Sequence, residues 1–174
     1  MDWKRRNSKS KWYNFICRTH RERTDTSLPY VEITQEALDA LQSYRQIEGN
    51  ERPGVLVGVF LGDNRYRITT VSPPMPKGKS SDIGCERDAD KANAFIQEQY
   101  ELSGHTRIYL GEWHTHPEDN PSPSCVDHNS IQKIAFLPDN PLPFVILCIV
   151  GRVSNYWGCL INKQLHTLLH VKIL

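Results

Sequence analysis

The sequence predicts one α/β domain. The chain has 174 residues, which is room for about one compact domain, and 39% of them are hydrophobic, which is enough for a core. Short apolar runs typical of strands alternate with segments whose apolar residues recur at helical spacing. We therefore expect a folded domain over 29–174, preceded by a basic, weakly ordered N-terminal arm over 1–28.

The first half of the predicted domain combines a helix with a hairpin. A short strand over Tyr30–Ile33 leads to Thr34, a suitable N-cap for a helix that ends near Gly49 and Asn50. Gly54–Leu61 and Arg65–Val71 flank the turn residues Gly62-Asp63-Asn64, and they predict a hairpin at the centre of the sheet. The apolar face of the helix is predicted to contain Ala37, Leu38, Leu41, Tyr44 and Ile47.

The second half alternates helices with strands. Helical spacing over Asp88–Leu102 would bury Ala92, Phe95, Ile96 and Leu102. The later elements are predicted as a strand over Arg107–Trp113, a helix over Asp127–Leu137, and strands over Phe144–Val150 and Val153–Leu160. The tail over Leu165–Leu174 is consistent with an edge strand or a short helix.

A long loop separates the hairpin from the second helix. The run from Ser72 to Cys85 is rich in Pro, Gly and Ser, and long loops within compact domains are often functional. We take it as a substrate flap, with a merely stiffened connection as the alternative.

Composition limits the cellular setting. The longest apolar run, Phe144–Val150, has seven residues, so we expect no membrane span, and no apolar segment resembles a signal peptide. The five cysteines form no Cys-x-x-Cys pair, which favours reduced thiols and a cytoplasmic location. The arm is expected to be a solvated terminus, or else a contact for an acidic partner or nucleic acid; its basic residues are Lys4, Arg5, Arg6, Lys9, Lys11, Arg18, Arg21 and Arg23.

A short motif predicts a metal centre. His114 and His116 are two apart on a predicted strand, so both imidazoles point to the same face. Asp127, at the start of the next helix, could supply a third ligand and leave one tetrahedral position for water. Such an N, N, O set is typical of catalytic rather than structural zinc.

The same residues allow a simpler interpretation. Ser124-x-x-Asp127 before a helix is also an ordinary capping box. Cys125, beside that serine, is expected to be a small buried residue, with a redox-sensitive thiol as the alternative.

At these positions the chain resembles the JAMM family, also called MPN-plus or JAB-domain metalloproteases. The family signature is an upstream Glu, then His-x-His, seven residues and Ser-x-x-Asp, which His114, His116, Ser124 and Asp127 match without a gap. Glu51 precedes a Gly-rich apolar strand as the family's glutamate does, although Pro53 replaces a usual Gly. Glu48 and Glu112 are the other carboxylates near this site in the sequence.

The resemblance implies a cytidine-deaminase-like fold with a curved mixed β-sheet flanked by helices. It also implies one Zn²⁺ per chain, held by His114, His116 and Asp127, with Glu51 as general base and Ser124 as oxyanion donor. The implied reaction is cleavage of a peptide or isopeptide bond after a ubiquitin-like modifier or another C-terminally conjugated protein. Precursor trimming is the related possibility.

The short chain is similar to stand-alone bacterial members of the family encoded beside ubiquitin-activating (E1-like) and ubiquitin-conjugating (E2-like) enzymes. Some of these belong to CBASS antiphage operons, where the conjugated protein is a nucleotide cyclase (a CD-NTase). Two alternatives remain: a RadC-like protein associated with DNA, which the basic arm would suit, and a non-catalytic MPN scaffold. The near-neutral net charge of +1 makes nucleic acid the less favoured partner.

Overall fold

The computed structural model describes residues 27–78, 86–136, 140 and 142–174. Most of the predicted arm therefore lies outside the described residues, as do Cys17, Cys85, Leu137 and the 79–85 part of the predicted flap. No helix in the described ranges is long and apolar enough to cross a lipid bilayer.

The described residues contain eight strands that form one mixed sheet in the order β7-β6-β5-β4-β2-β3-β1-β8. Strands β2 and β4 lie at its centre, and they pair antiparallel, whereas β4 and β5 pair parallel. The strands are β1 (Tyr30–Ile33), β2 (Pro53–Gly62), β3 (Arg65–Val71), β4 (Ile108–Thr115), β5 (Phe144–Val150), β6 (Asn155–Ile161), β7 (Gln164–Thr167) and β8 (Lys172–Ile173).

Helices cover both faces of the sheet. Helix α1 (Gln35–Ser43) packs its buried residues Ala37, Leu38 and Leu41 into the core on one face. Helices α2 (Ala89–Leu102) and α3 (Cys125–Ala135) cover the other face, where Ala92 and Ile131 are their buried anchors. The α/β class and the mixed sheet flanked by helices are therefore confirmed.

The hairpin prediction is confirmed because its turn chemistry is local. β2 and β3 pair antiparallel, and the turn residues Asp63 and Asn64 have φ of 48° and 57°. Those left-handed angles are the ones that a two-residue type I′ hairpin requires. The prediction that the hairpin forms the centre is only partly right, since β4 rather than β3 lies beside β2 at the middle of the sheet.

Several predicted element ends are wrong. Helix α1 begins after Thr34 as predicted but ends at Ser43, so Ile47 lies beyond it and is 77% exposed. Leu102, at the last turn of α2, is 71% exposed rather than buried. Strand β4 starts at Ile108 and continues to Thr115, because pairing with both β2 and β5 carries it past Trp113.

The last strands and the tail also shift. Helix α3 begins at Cys125, two residues before the prediction, because Ser124 rather than a later residue caps it. β6 starts at Asn155 instead of Val153. The tail forms two edge strands, β7 on one side of the sheet and β8 on the other.

Candidate functional site

The centre of the site is the carboxyl end of β4. His114 and His116 point to the same face, as their spacing predicts, and they are 9% and 6% exposed. Their Nε2 atoms are 3.1 Å apart. Two ring nitrogens held this close and facing one point suit a shared cation.

Asp127 reaches the same point from the first turn of α3. Its Oδ1 lies 3.1 Å from His114 Nε2, and its Oδ2 lies 3.4 Å from His116 Nε2. The predicted capping box is also present, since the Ser124 backbone N–H donates to Asp127 Oδ2 at 2.7 Å and the Asp127 N–H donates to Ser124 Oγ at 3.2 Å. The cap therefore fixes the carboxylate that faces the histidines. The capping box and the candidate third metal ligand, which the sequence offered as alternatives, are both present in this geometry.

The loop between His116 and Ser124 is held by the turn that joins β5 to β6. The Arg152 N–H donates to the Glu118 carbonyl at 2.7 Å, and the Val153 N–H donates to the Asp119 carbonyl at 3.0 Å. These bonds anchor the loop that leads from β4 to α3.

The three side chains fit a zinc ion. One donor atom from each of His114, His116 and Asp127 lies within 4.8 Å of the others. A tetrahedral ion with bonds of about 2.0 Å separates its donors by roughly 3.3 Å. The contacts of 3.1 to 3.4 Å between these donors agree with that spacing, and the N, N, O set is the kind that leaves a ligand position open.

Glu51 is the carboxylate that the fold brings to this centre. Its Oε1 lies 3.6 Å from His116 Nε2, and the residue is 8% exposed. Glu48, the other upstream possibility, is exposed. Glu51 immediately precedes β2, and Pro53 at the start of that strand pairs with His114.

The electrostatics favour a cation here. Burial alone would raise the pKa of Asp127, but hydrogen bonds from His114 and His116 overcome this and hold it well below its usual range. Burial would lower the pKa of His116, yet the hydrogen bond that His116 donates to Asp127 and the charges of Asp127, Glu51 and Glu118 raise it overall. Carboxylate charge therefore lies next to both imidazoles, from Asp127 at His114 and from Asp127, Glu51 and Glu118 at His116.

A known protein family matches the part of the chain that forms this site. The Prok-JAB family, described as prokaryotic homologs of the JAB domain, matches residues 34–160, which include Glu51 and the whole His114–Asp127 motif. The chain belongs to the Prok-JAB family. The resemblance to JAB-domain proteins inferred from the sequence is therefore confirmed.

Similar proteins of known name include two called CD-NTase/cGAS isopeptidase. One, from Escherichia coli (strain TW11681), is 33% identical over 141 residues, which cover 80% of this chain and 87% of the relative. The other, from Vibrio cholerae serotype O1, is 33% identical and covers 76% of this chain and 83% of the relative. A probable metalloprotease, y4qB of Sinorhizobium fredii, is 30% identical over 54% of this chain and 62% of its own length.

A solved structure supports the fold alone. The solution structure of protein DSY2949 from Desulfitobacterium hafniense superposes with a TM-score of 0.58 at 16% identity. The alignment covers 83% of this Prok-JAB chain and 91% of that chain.

Glu112 shares the histidines' face of the Prok-JAB sheet but belongs to a separate buried network. Arg87 donates to both of its oxygens, from Nε at 2.7 Å and from a terminal nitrogen at 3.1 Å, and the Tyr109 hydroxyl donates to Oε1 at 2.7 Å. Burial raises the pKa of Glu112, and the charge of Arg87 partly offsets this. Glu112 therefore ties the start of α2 to β4 beside the candidate metal centre.

Cys125 is not the small buried residue that the sequence predicted. It is exposed, because it is the first residue of α3 and points outward from the capped turn. The described thiols that are buried are Cys148 and Cys159, and burial raises the pKa of Cys159 to about 12. Among the remaining histidines, His105 sits at the end of α2 with its ring 3.0 Å from Glu101, away from the candidate centre.

Sequence reasoning missed Arg87, Tyr109, Gln46 and Thr115. Tyr109 shares a face with Glu112 only because the β2–β4 register shifts between Leu56 and Val57. That shift breaks the simple alternation on which a sequence prediction relies. Thr115, by contrast, could have been noticed as a hydroxyl between two ligands.

Proposed function

We propose that this protein is a zinc-dependent isopeptidase that hydrolyses the amide bond between the C-terminus of a conjugated protein and a lysine amine. The observation that carries the proposal is the convergence of His114, His116 and Asp127 beside the Glu51 carboxylate. Membership of the Prok-JAB family and the names of the relatives support peptide-bond hydrolysis. Relatives named for CD-NTase/cGAS make a CD-NTase conjugate the substrate to test first.

His114, His116 and Asp127 would hold the ion. Zinc bound in such a set lowers the pKa of a coordinated water to about 7 and polarises a carbonyl. Glu51, beside His116, accepts a proton from the attacking water and then delivers it to the departing lysine amine. The water oxygen first bonds to the carbonyl carbon to form a tetrahedral intermediate, and the C–N bond then breaks as the amine takes the proton from Glu51, which leaves a carboxylate and a free amine.

Ser124 is placed to steady the oxyanion of the tetrahedral intermediate. Its Oγ accepts a hydrogen bond from the Asp127 N–H, which leaves its own hydroxyl proton to donate. The residue is exposed, so the hydroxyl can be reached by substrate. We further propose that E1-like and E2-like enzymes supply the conjugate.

The test uses purified protein and a CD-NTase joined through its C-terminus to a lysine of a reporter protein. Wild type is expected to bind one zinc per chain, measured by elemental analysis, and to cleave the conjugate at the CD-NTase C-terminus, identified by mass spectrometry. A chelator should abolish cleavage, and added zinc should restore it.

Two variants separate the roles of the residues. Glu51→Gln should keep one zinc per chain and lose at least ~10²-fold in kcat, since a general base contributes 10² to 10⁴. His114→Ala should lose both the metal and the activity. Full activity in Glu51→Gln, or cleavage that survives metal removal, would contradict the proposal.

A further inference from the structure

The segment that carries Glu51 has no regular secondary structure. Between the end of α1 at Ser43 and the start of β2 at Pro53 the chain forms turns and bends. A general base must nevertheless be held within a fraction of an ångström of its working position, because a displacement of about 1 Å can cost roughly 10²-fold in rate. Something must therefore fix this segment to the strand that carries the histidines.

Thr115 makes that connection. It lies between His114 and His116 in β4 and is fully buried. Its Oγ1 accepts a hydrogen bond from the Arg52 N–H at 3.0 Å, and its own N–H donates to the Arg52 carbonyl at 3.1 Å. Both backbone polar groups of Arg52, the residue that follows Glu51, are thus bonded to the residue between the two histidines.

Gln46 extends the connection into the middle of the segment. Its side chain is buried, at 1% exposure, and its Oε1 accepts the Thr115 hydroxyl proton at 3.0 Å. Its Nε2 donates to the Gly49 carbonyl two residues before Glu51. Gly49 has φ of +81°, a conformation that favours glycine, so the bend there is set by the backbone as well.

We propose that Thr115 and Gln46 are positioning residues that place Glu51 against His116. Thr115 points to the sheet face opposite the histidines, so it acts through Glu51 and not on substrate or metal. The role requires a hydroxyl that accepts one hydrogen bond and donates another, which serine can do and valine cannot. This inference rests on the proposed function, in which Glu51 is the general base.

The experiment compares Thr115→Val with Thr115→Ser and Gln46→Met. Thr115→Val and Gln46→Met should lower kcat for conjugate cleavage by ~10 to 10²-fold, with KM little changed and one zinc per chain retained. Thr115→Ser should stay within about threefold of wild type, because it restores both hydrogen bonds. Thr69→Val is the matched control, because the Thr69 hydroxyl is buried without a hydrogen-bond partner in the described part of the chain. The kcat of this variant should equal that of wild type.

A double-mutant cycle tests whether Thr115 acts through Glu51. In a Glu51→Gln background, Thr115→Val should cost nothing further in kcat. An equal loss in both backgrounds, a Thr115→Val protein as active as wild type, or a Thr115→Ser protein as impaired as Thr115→Val would overturn the inference. Should Thr115→Val fail to fold, Gln46→Met carries the same cycle.

A readout independent of activity separates this inference from the proposed function. The Arg52 amide proton should exchange with solvent faster in Thr115→Val than in wild type or Thr115→Ser, as measured by NMR on the zinc-loaded protein. Unchanged exchange would overturn the inference even in an active enzyme. Conversely, the expected difference in exchange between Thr115→Val and wild type, found together with a wild type that cleaves no conjugate, would contradict only the proposed function.

Discussion

In the proposed mechanism, Ser124 serves both folding and chemistry. Its Oγ caps α3 by accepting the Asp127 N–H, while its backbone N–H binds the carboxylate that faces the histidines. A change at this residue should therefore alter the free energy of unfolding and the rate together, and the two effects can be separated by comparing it with a cap elsewhere.

Ser124→Ala should destabilise the protein by about 1 kcal/mol through loss of the cap, and should reduce kcat by ~10² to 10³-fold through loss of the oxyanion donor. Thr34→Ala is the control, since Thr34 caps α1 by accepting the Ala37 N–H. It should lose similar stability with kcat intact. Denaturant unfolding and conjugate cleavage measure the two quantities, and equal kcat losses in both variants would show that the effect at Ser124 is only structural.

At the scale of elements, the central strands approach so closely that glycine is required. A Cβ on Gly111 of β4 would lie 2.0 Å from the Ile146 carbonyl oxygen of β5, and one on Gly54 of β2 would lie 2.4 Å from the Trp113 indole nitrogen. Neither glycine needs an unusual backbone angle; each is required for space. β4, the strand that carries the histidines, therefore lies too close to its neighbours for a side chain at Gly111 or at Gly54.

Gly111→Ala should destabilise the fold by about 3 kcal/mol or more, because the new methyl group meets backbone that cannot rotate away. Gly62→Ala is the comparison: its φ is +91° and no atom lies within 4 Å, so only backbone strain applies, about 1 kcal/mol. The measurement is the midpoint of denaturant unfolding at unchanged slope. Similar losses in the two variants would mean that β4 and β5 can separate slightly.

The limits of prediction from sequence also lie at the level of elements. Spacing within one strand and one helix turn was enough to select His114, His116 and Asp127, because these relations are local. The end of α1 and the exposure of Ile47 were missed because helical spacing continues in the sequence after the backbone has left the helix. The bonds from Thr115 to Gln46 and Arg52 join residues more than sixty positions apart, and no local pattern encodes such contacts.

For the molecule as a whole, one buried carboxylate joins strands near the sheet edge. Glu32 of β1 is 1% exposed and receives hydrogen bonds from Arg65 and Arg67 of β3 at 3.0 and 2.9 Å. Burial opposes ionisation, but the two guanidinium groups prevail and lower the pKa of Glu32 below the ordinary value of 4.5. The N-terminal strand is thus fixed by charge as well as by its backbone pairing.

Because the folded protein has the lower pKa, the stability that Glu32 contributes is complete above about pH 4.5 and is lost as pH falls toward the folded pKa. Glu32→Gln should lower the free energy of unfolding by about 1 to 3 kcal/mol at pH 7. Between pH 5 and ~3, the free energy of unfolding should fall less in this variant than in wild type. Glu86→Gln, which changes an exposed pair with Lys77, should match wild type at each pH. Thermal unfolding across this pH range measures the difference, and parallel curves for Glu32→Gln and wild type would contradict the assignment.

The candidate metal ligands all come from one stretch of chain, residues 114–127, whereas Glu51, the proposed base, lies just before β2. Removing the carboxylate therefore need not disturb the ligands or the surface that recognises the conjugate. A Glu51→Gln protein immobilised on a resin should retain intact conjugates that wild type would release, and a His114→Ala resin provides the blank. Incubated with lysate of cells that contain the conjugating enzymes, the Glu51→Gln resin should capture the conjugates, and mass spectrometry would identify the proteins joined in them.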